Sequence, residues 1–454
     1  MKALSMTTLP WRRVHAPLAA FCLLFFVALS LPAQDFGFGF DDEDTGGMGG
    51  AFGSTLAVSI GGEVSASMTG FVEDFADGPE DVRLGDIFSG KLNFTAETAY
   101  AEGVVNLKLA SGLVYYDEKS PVYVDEAYVR AYFGSFDVEG GLRKLTWGKA
   151  DSLGPLDIVN PLDYSDLSDL SDMMNLKIAR PLIHASFVLG QFSKLEGVFV
   201  PNFEQGGFAS SGPWASPQMA MIDQLPPGNV IRPDDMTTFD YAQAGLRFTT
   251  TIAGAVDIGA QYYYGRFTTP TVTSTAPTPS LPVITFAYNP YHQIGFDYAQ
   301  VIAGFNLRAE LAANITADLS GDDGAVYNPH LAWSLGFDRD LFAGVNLNLQ
   351  CNETIRLLDD MIDDPRDIEY DTDVTSTRIT AAFSKKFLRD ELEAKAAVIW
   401  EVEGGACLLM PSLVWAKNDV TVELSGGIFA GSDEAFFGQF YDNNFVKIGL
   451  KYTF

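Results

Sequence analysis

The chain is poor in positive charge, in cysteine and in histidine. Its 454 residues include 29 Lys+Arg against 59 Asp+Glu, with 3 Cys and 4 His. A net charge of −30 and a pI near 4.3 exclude the basic surface that nucleic-acid binding needs. So few cysteines and histidines leave little room for a disulfide framework or a metal cluster, and no cofactor is expected. Because 47% of the residues are hydrophobic, the chain is not a disordered polyanion.

Long apolar runs are also lacking, apart from one near the N-terminus. Lys2, Arg12 and Arg13 precede an apolar stretch from Ala16 to Leu31, and the small residue Ala33 follows it. A basic segment, a short apolar core and a small-residue exit are typical of an export signal. The apolar run is short for the roughly 20 residues that a membrane-spanning helix needs.

The sequence therefore predicts three parts. Residues 1–33 form a signal peptide, residues 34–53 a flexible leader rich in acidic residues and glycine, and residues 54–454 a single domain. Removing the signal peptide takes three positive charges and no negative ones, which moves the net charge from −30 to −33.

In the rest of the chain, apolar and polar residues alternate and long apolar runs do not occur. Between residues 304 and 318, apolar side chains take one parity (Phe305, Leu307, Leu311, Ile315) and polar ones the other (Asn306, Arg308, Glu310, Asn314). Successive residues of a strand point to opposite faces, so this pattern predicts one apolar and one polar face. Segments 343–356, 391–402 and 419–430 repeat it, and others between 54 and 454 do so less clearly. We expect about 16 to 18 strands.

Such strands fit a soluble sandwich or an outer-membrane barrel, and three features favour the barrel. The strands are longer than the soluble norm of about 5 or 6 residues. Their polar faces carry charges, which suits a wet lumen. The chain ends in an alternating strand with Leu450, Tyr452 and Phe454, which resembles the signal that bacterial barrel-assembly machinery recognises. We expect an all-β, transmembrane antiparallel barrel in the outer membrane of a two-membrane bacterium.

One strand departs from the alternation. Residues 406–416 are apolar on both parities and contain Pro411. Proline cannot donate to a β-ladder, so a bulge or a strand end is expected near it. A strand that packs against an inward-folded loop would explain its two apolar faces.

The stretch 147–181 is too long for a hairpin turn, and loops beyond about 15 residues are usually functional or disordered. Its composition does not resemble a disordered segment, so we expect an inward or otherwise structured loop at 148–180. The candidate site residues in and beside it are Arg143, Trp147, Gly148, Asp151, Asp157, Asn160, Pro161, Asp163, Asp166, Asp169, Lys177 and Arg180.

The carboxylates of this loop suggest a constriction. Asp163, Asp166 and Asp169 recur every third residue after Pro161, a pattern that fits either a short helix or a chain of turns. A loop folded into the lumen would set these carboxylates opposite inward Arg143, Lys177 or Arg180. A solvated external loop is the alternative.

The same region resembles a little-characterised family of bacterial outer-membrane barrels. The resemblance covers about 65 residues, from Gly141 through Trp147-Gly148, Asp157 and Asn160-Pro161-x-Asp163 to the strand that ends at Pro201. It implies a barrel with a structured loop after an early hairpin. Members of such families are often suspected of moving hydrophobic or small solutes, and the resemblance implies no particular substrate.

The function that these features predict is a passive channel or porin for small solutes, with a mild preference for cations. The alternatives are a plugged barrel that transports hydrophobic compounds and a surface adhesin or structural barrel. His184 and Ser186 share a parity, but no third residue suggests a catalytic triad, so no enzyme is expected. The expected partners are outer-membrane lipid, the assembly machinery and small solutes. The sequence is compatible with an oligomer.

Overall fold

A computed structural model describes residues 56–73, 88–111, 122–168, 170, 173–233, 235–275 and 282–454. The predicted signal peptide and leader lie outside the described residues, so both stay predictions. The described part of the chain contains no helix that is long and apolar enough to cross a membrane.

The main element is an 18-stranded antiparallel sheet that closes on itself, because β1 pairs with β2 on one side and with β23 on the other. The predicted all-β barrel is therefore confirmed. Its strands are β1 (Ala57–Phe71), β2 (Phe88–Glu97), β3 (Ala101–Ser111), β4 (Val122–Phe133), β5 (Phe136–Arg143), β7 (Arg180–Leu189), β8 (Ser193–Val200), β11 (Gln243–Ile252), β12 (Val256–Arg266), β15 (Pro290–Ile302), β16 (Phe305–Thr316), β17 (His330–Asp340), β18 (Val345–Arg356), β19 (Thr375–Phe387), β20 (Leu392–Glu401), β21 (Ala406–Lys417), β22 (Val420–Ala430) and β23 (Phe445–Thr453).

Short elements lie in the connections between these strands. The strands are β6 (Asp163–Tyr164), β9 (Gly207–Phe208), β10 (Val230–Ile231), β13 (Thr271–Thr275) and β14 (Val283–Ala287), and the one α-helix among the described residues is α1 (Pro217–Asp223). The 3₁₀ turns are Met173–Leu176, Pro227–Asn229, Phe239–Tyr241, Phe342–Gly344, Asp359–Met361 and Gly438–Asn443. β13 and β14 pair with each other as antiparallel strands.

The two ends of the barrel differ. Tight turns such as 134–135, 190–192 and 418–419 join strands at one end, which we call the turn end. Long connections join them at the other, the loop end, including 144–179 and 201–242. β1 begins and β23 ends at the turn end.

The two faces of the wall differ as the alternation predicts. Outward side chains such as Val58, Ile60 and Leu335 are more than half exposed, whereas inward Gln293, Glu310 and Gln350 are buried. The barrel thus presents an apolar exterior around a polar interior, which is the arrangement that lipid requires.

The C-terminal strand closes this wall. Leu450, Tyr452 and Phe454 are each about half exposed on its outer face. The backbone of Phe454 exchanges two hydrogen bonds of 3.0 Å with Gly62 of β1. Their role as an assembly signal stays a prediction.

A bulge in β4 was not predicted. The register between β3 and β4 shifts at Asn106/Leu107, so the successive residues Asp125 and Glu126 both bond to side chains of the lumen. Asp125 lies 2.7 Å from the ammonium of Lys144, and Glu126 lies 2.7 Å from the guanidinium of Arg143. One inserted residue thus gives the lumen two adjacent carboxylates.

The expected bulge or strand end at Pro411 is wrong, because β21 passes through this position without a change of register. Pro411 pairs with Ala396 of β20. On the β22 side the ladder is interrupted only at Met410 and Pro411, and it resumes in the same register at Ser412. The missing N–H is therefore accommodated by a gap in one ladder and not by a distortion of the strand.

The two apolar faces of β21 have a simple structural cause. Inward Leu408 is fully buried in a cluster with Leu167 and Leu170, which come from the connection 144–179, and with Trp214 from the connection 201–242. Both connections therefore fold into the loop end of the lumen and cover this part of the wall.

Leu408→Ala should lower the free energy of unfolding by about 2–5 kcal/mol, because it leaves a cavity in this cluster. Denaturant unfolding of the protein in lipid vesicles measures the loss. Leu413→Ala is the matched control, since Leu413 lies on the lipid-facing parity of the same strand and is 42% exposed. Equal losses in the two variants would contradict the packing described here.

Candidate functional site

The connection between β5 and β7 enters the lumen, and we call residues 144–179 the inward segment. Its first part, residues 149–156, has almost no regular secondary structure. It lies against the inner faces of β12, β15, β16 and β18, where wall side chains bond to its backbone. The predicted inward loop at 148–180 is confirmed.

Glu310 of β16 is the main anchor of this segment. Its carboxylate accepts hydrogen bonds from the backbone N–H groups of Lys149, Ala150 (2.7 Å) and Leu156 (3.2 Å). Gly148 has a φ of +94°, and a Cβ at this position would collide with the same carboxylate. Gly148 is therefore needed both for its backbone conformation and for the close approach of Glu310.

Amide side chains of the wall bond to five further backbone groups of this part. Gln350 accepts from the N–H groups of Asp151 and Ser152 at 3.0 and 3.1 Å. Gln293, Gln261 and Asn352 donate at 3.0 Å to the carbonyls of Pro155, Leu156 and Leu153, respectively. An irregular segment inside a barrel needs such partners, because unpaired buried backbone groups are costly.

Asp151 lies in the first part of the inward segment and faces β16 and β18. Its carboxylate accepts hydrogen bonds from Arg308 of β16 and from Asn348 of β18, the latter at 2.8 Å. Arg308 also contacts Asp338 at 2.7 Å. Asp151 therefore helps to attach the segment to the wall, and it also stays a candidate residue of the constriction.

Asn160 connects the two ends of the inward segment. Its carbonyl accepts from the N–H of Leu145 at 2.8 Å, and its amide donates to the carbonyls of Arg143 and Ile178, both at 2.9 Å. The buried Pro161 accepts from the N–H of Ile178 at 2.8 Å. The Asn-Pro pair therefore holds the base of the segment closed.

The three predicted cations have different partners. Lys177 is buried and lies 2.6 Å from Asp157, while Arg143 lies 2.7 Å from Glu126. Arg180 is fully buried and donates to the carbonyls of Val159 and Asn202. Burial raises the pKa of the Asp157 carboxyl, although the Lys177 ammonium opposes this shift.

Trp147 is a packing residue. It is almost fully buried, and its ring meets that of Tyr263 of β12 edge-on at 6.1 Å. Val159 and Leu182 belong to the same cluster, which fixes the entry of the inward segment.

Asp163 and Asp166 form turns rather than a helix. Asp163 accepts from the N–H of Ser165 at 3.0 Å, and Asp166 accepts from that of Ser168 at 2.8 Å. These bonds favour a chain of Asx turns. Asp169 lies outside the described residues. Lys177, one of the predicted cations, pairs with Asp157. That Asp163, Asp166 and Asp169 lie opposite cations in a constriction stays a prediction.

The sequence did not predict that the wall residues Glu310, Gln350, Gln293 and Gln261 bond to the segment. Their parity had placed Glu310 and Gln350 on the polar face, but their partners lie about 150 to 200 positions away. No local pattern encodes such a contact.

Two cavities flank the inward segment. The upper cavity, toward the loop end, has a volume of about 370 Å³ and is lined by Leu153 and Pro155 of the segment and by Asn314, Asn352, Thr354 and Arg378 of the wall. The lower cavity, toward the turn end, has about 310 Å³ and is lined by Ser168 of the segment and by Asn346, Asn348, Ala382, Lys395 and Glu423. A third cavity of about 340 Å³ at the loop end shares Phe267, His330 and Thr354 with the upper one.

His184 and Ser186 face the lumen but do not bond to each other as a base and a nucleophile would. His184 lies 3.0 Å from Glu139 and 3.2 Å from Glu196, and Ser186 donates to Asp137 at 2.7 Å. Within the described ranges, no group of three His, Cys, Asp or Glu side chains is placed to hold a metal ion.

Comparison with known proteins gives fold-level likenesses alone. No protein-family model matches the chain. No curated protein matches its sequence. Similar solved structures include OccK9 (OpdG) of Pseudomonas aeruginosa, at 10% identity and a TM-score of 0.49 over 88% of this chain and 97% of that one. OccAB3 of Acinetobacter baumannii gives 10% identity, a TM-score of 0.48 and coverage of 87% and 99%.

The outer membrane channel DcaP of Acinetobacter baumannii gives 11% identity, a TM-score of 0.42 and coverage of 88% and 97%. These similarities concern the fold and do not identify the function of this chain. The resemblance of residues 141–203 to one barrel family stays a prediction.

Glu310→Ala should release the inward segment from the wall, because three backbone N–H groups lose their acceptor. We expect faster trypsin cleavage after Lys149 in the folded protein, by about tenfold or more, measured by mass spectrometry of the fragments. Glu423→Ala is the control, since Glu423 faces the lumen and makes no hydrogen bond or ion pair with the described part of the inward segment. Unchanged cleavage in Glu310→Ala would show that Glu310 is not the anchor.

Proposed function

We propose that the protein is a passive, porin-like channel for small solutes in the outer membrane of a two-membrane bacterium. The observation that supports this most is the position of the two cavities on opposite sides of the inward segment. Both are lined by inward residues of the same strands. On β18, Asn352 and Thr354 line the upper cavity, and Asn346 and Asn348 line the lower one.

The proposed path runs beside the inward segment along β19 and β20, because Gln350 of β18 is bonded to the segment at the level between the two cavities. On β19, Arg378 lines the upper cavity and Ala382 the lower one, and Thr380 lies on the same face between them. Cross-strand pairing sets Ala382 beside Ala397 of β20. Two small side chains at this level leave room for a water-filled passage, whereas the opposite side of the lumen is occupied by the inward segment.

Ala397→Trp should reduce the single-channel conductance in planar bilayers several-fold, because it places a large ring in the proposed passage. Ala394→Trp is the matched control, since Ala394 pairs with the outward Leu413 and does not line the lower cavity. An equal effect of the two variants, or no conductance in the folded wild-type protein, would refute the proposed path.

We also propose a mild preference for cations. Most charges along the path are paired: Arg356 with Asp359 at 2.5 Å, Arg378 with Glu401 at 3.0 Å, and Lys395 with Glu393 at 3.3 Å. Glu423 lines the lower cavity and makes no ion pair within the described residues. Its charge, together with the net charge of −30, favours entry of cations.

Glu423→Gln should move the reversal potential in a salt gradient toward that of a non-selective channel. Glu434→Gln removes one charge from an exposed position in the connection 431–444 and should have a smaller effect. A wild-type channel that prefers anions would overturn this part of the proposal.

The C-terminal strand supports two further parts of the proposal. Its outward residues Leu450, Tyr452 and Phe454 are offered as the signal for barrel-assembly machinery, and the surrounding apolar band as the contact with outer-membrane lipid. A folded barrel without conductance that co-purifies with an apolar compound would favour the plugged transporter instead.

A further inference from the structure

We propose that the upper cavity is a binding site for a neutral, polyhydroxylated solute such as a short oligosaccharide. This inference rests on the proposed channel function, because the cavity lies on the proposed path. It adds a substrate class that the path alone does not specify.

The size of the cavity fits a small organic ligand. Its volume of about 370 Å³ continues into the loop-end cavity of about 340 Å³ through the shared residues Phe267, His330 and Thr354. Ligand pockets typically measure about 300–1,000 Å³. The inward segment forms the floor with Leu153 and Pro155, so a solute that enters from the loop end stops here before it reaches the passage.

The wall of the cavity offers free hydroxyl groups. Thr354 of β18 and Ser376 of β19 are cross-strand partners, and both line the cavity together with Thr268. In the part of the chain that the structure describes, the hydroxyls of these three residues make no hydrogen bond to the protein. Each hydroxyl both donates and accepts, so the row matches the hydroxyl groups of a sugar.

An aromatic group lies beside these hydroxyls. The ring of Phe267 stacks on that of Tyr291 at 4.4 Å and lies 5.7 Å from the ring of His330. All three residues line the cavity. A pyranose ring has apolar C–H faces, which pack on aromatic rings, and hydroxyl edges, which need polar partners. Such a mixture of surfaces suits a saccharide better than a purely apolar compound.

Most charged side chains in and beside the cavity already have partners, which argues against a charged ligand. Arg378 is paired with Glu401, and Arg266 donates to the carbonyls of Tyr288 and Asp240. Glu353 lies on the outward parity of β18. In the adjoining loop-end cavity, Arg356 contacts Asp359 at 2.5 Å and Glu369 at 3.9 Å. Asp157 is paired with Lys177. A solute anion would have to compete with these carboxylates for the guanidinium groups, whereas a neutral solute need not break any ion pair.

The test uses maltotriose as the probe in planar bilayers that contain the full-length mature protein. We expect maltotriose, added at the loop end, to interrupt the ion current in a concentration-dependent manner. Thr354→Val and Phe267→Ala should each raise the half-blocking concentration about five- to tenfold, since each removes one class of contact.

Two control variants have similar side-chain changes at other places. Thr421→Val changes a threonine at the turn end of the same lumen, and Phe239→Ala changes a phenylalanine that is 76% exposed. Neither should change the half-blocking concentration. Heat-modified mobility on a gel verifies that every variant forms a folded barrel.

Gluconate and glucosamine test the argument from charge. Stronger block by the anion or the cation than by neutral sugar would overturn the inference, as would normal conductance without any block by maltotriose. The latter result would leave the channel proposal intact. If the protein does not conduct, calorimetric titration with maltotriose decides the question: binding that Thr354→Val weakens supports the site, and no binding refutes it.

Discussion

The constraint on which this structure depends is the need to pair backbone polar groups away from water. In lipid, a strand has no solvent to bond its N–H and C=O groups, so the sheet must close, and β1 does this by pairing with β23. The chain that enters the lumen meets a related constraint. Residues 149–156 pair with no neighbouring strand. Their backbone groups bond instead to the carboxylate of Glu310 and to the side-chain amides of Gln350, Gln293 and Gln261.

This arrangement gives the inner wall two different roles. On β12, β15 and β16, inward polar side chains bond to the inward segment and fix its path. On β19 and β20, the corresponding positions include the small residues Ala382 and Ala397, which leave space beside the segment. One polar face thus holds the segment on one side of the lumen, and small residues line a cavity on the other side. Between β21 and β23, apolar Leu408 and Phe429 instead pack against the folded connections.

The sequence predicted most of the fold, because the alternation of side chains is a local property of each strand. It placed Glu310 on the polar face and Leu408 on an unusual strand with two apolar faces. It also identified the Asn160-Pro161 pair as part of a structured loop. Contacts between distant residues could not be predicted in this way. The bond of Glu310 to Ala150 joins residues 160 positions apart. The continuous passage of β21 through Pro411 also depends on more than the neighbouring residues, because β20 and β22 pair with it.

The proposed channel requires one continuous aqueous path between the upper and lower cavities. Ala382→Cys, in a background with Cys351→Ser and Cys407→Ser, places a thiol at the lower cavity. A charged, water-soluble thiol reagent is added to one side of a bilayer during single-channel recording. We predict a stepwise fall of the current with the reagent on either side. A reaction from the turn end alone, or a current that is unchanged although mass spectrometry shows modification, would contradict the account.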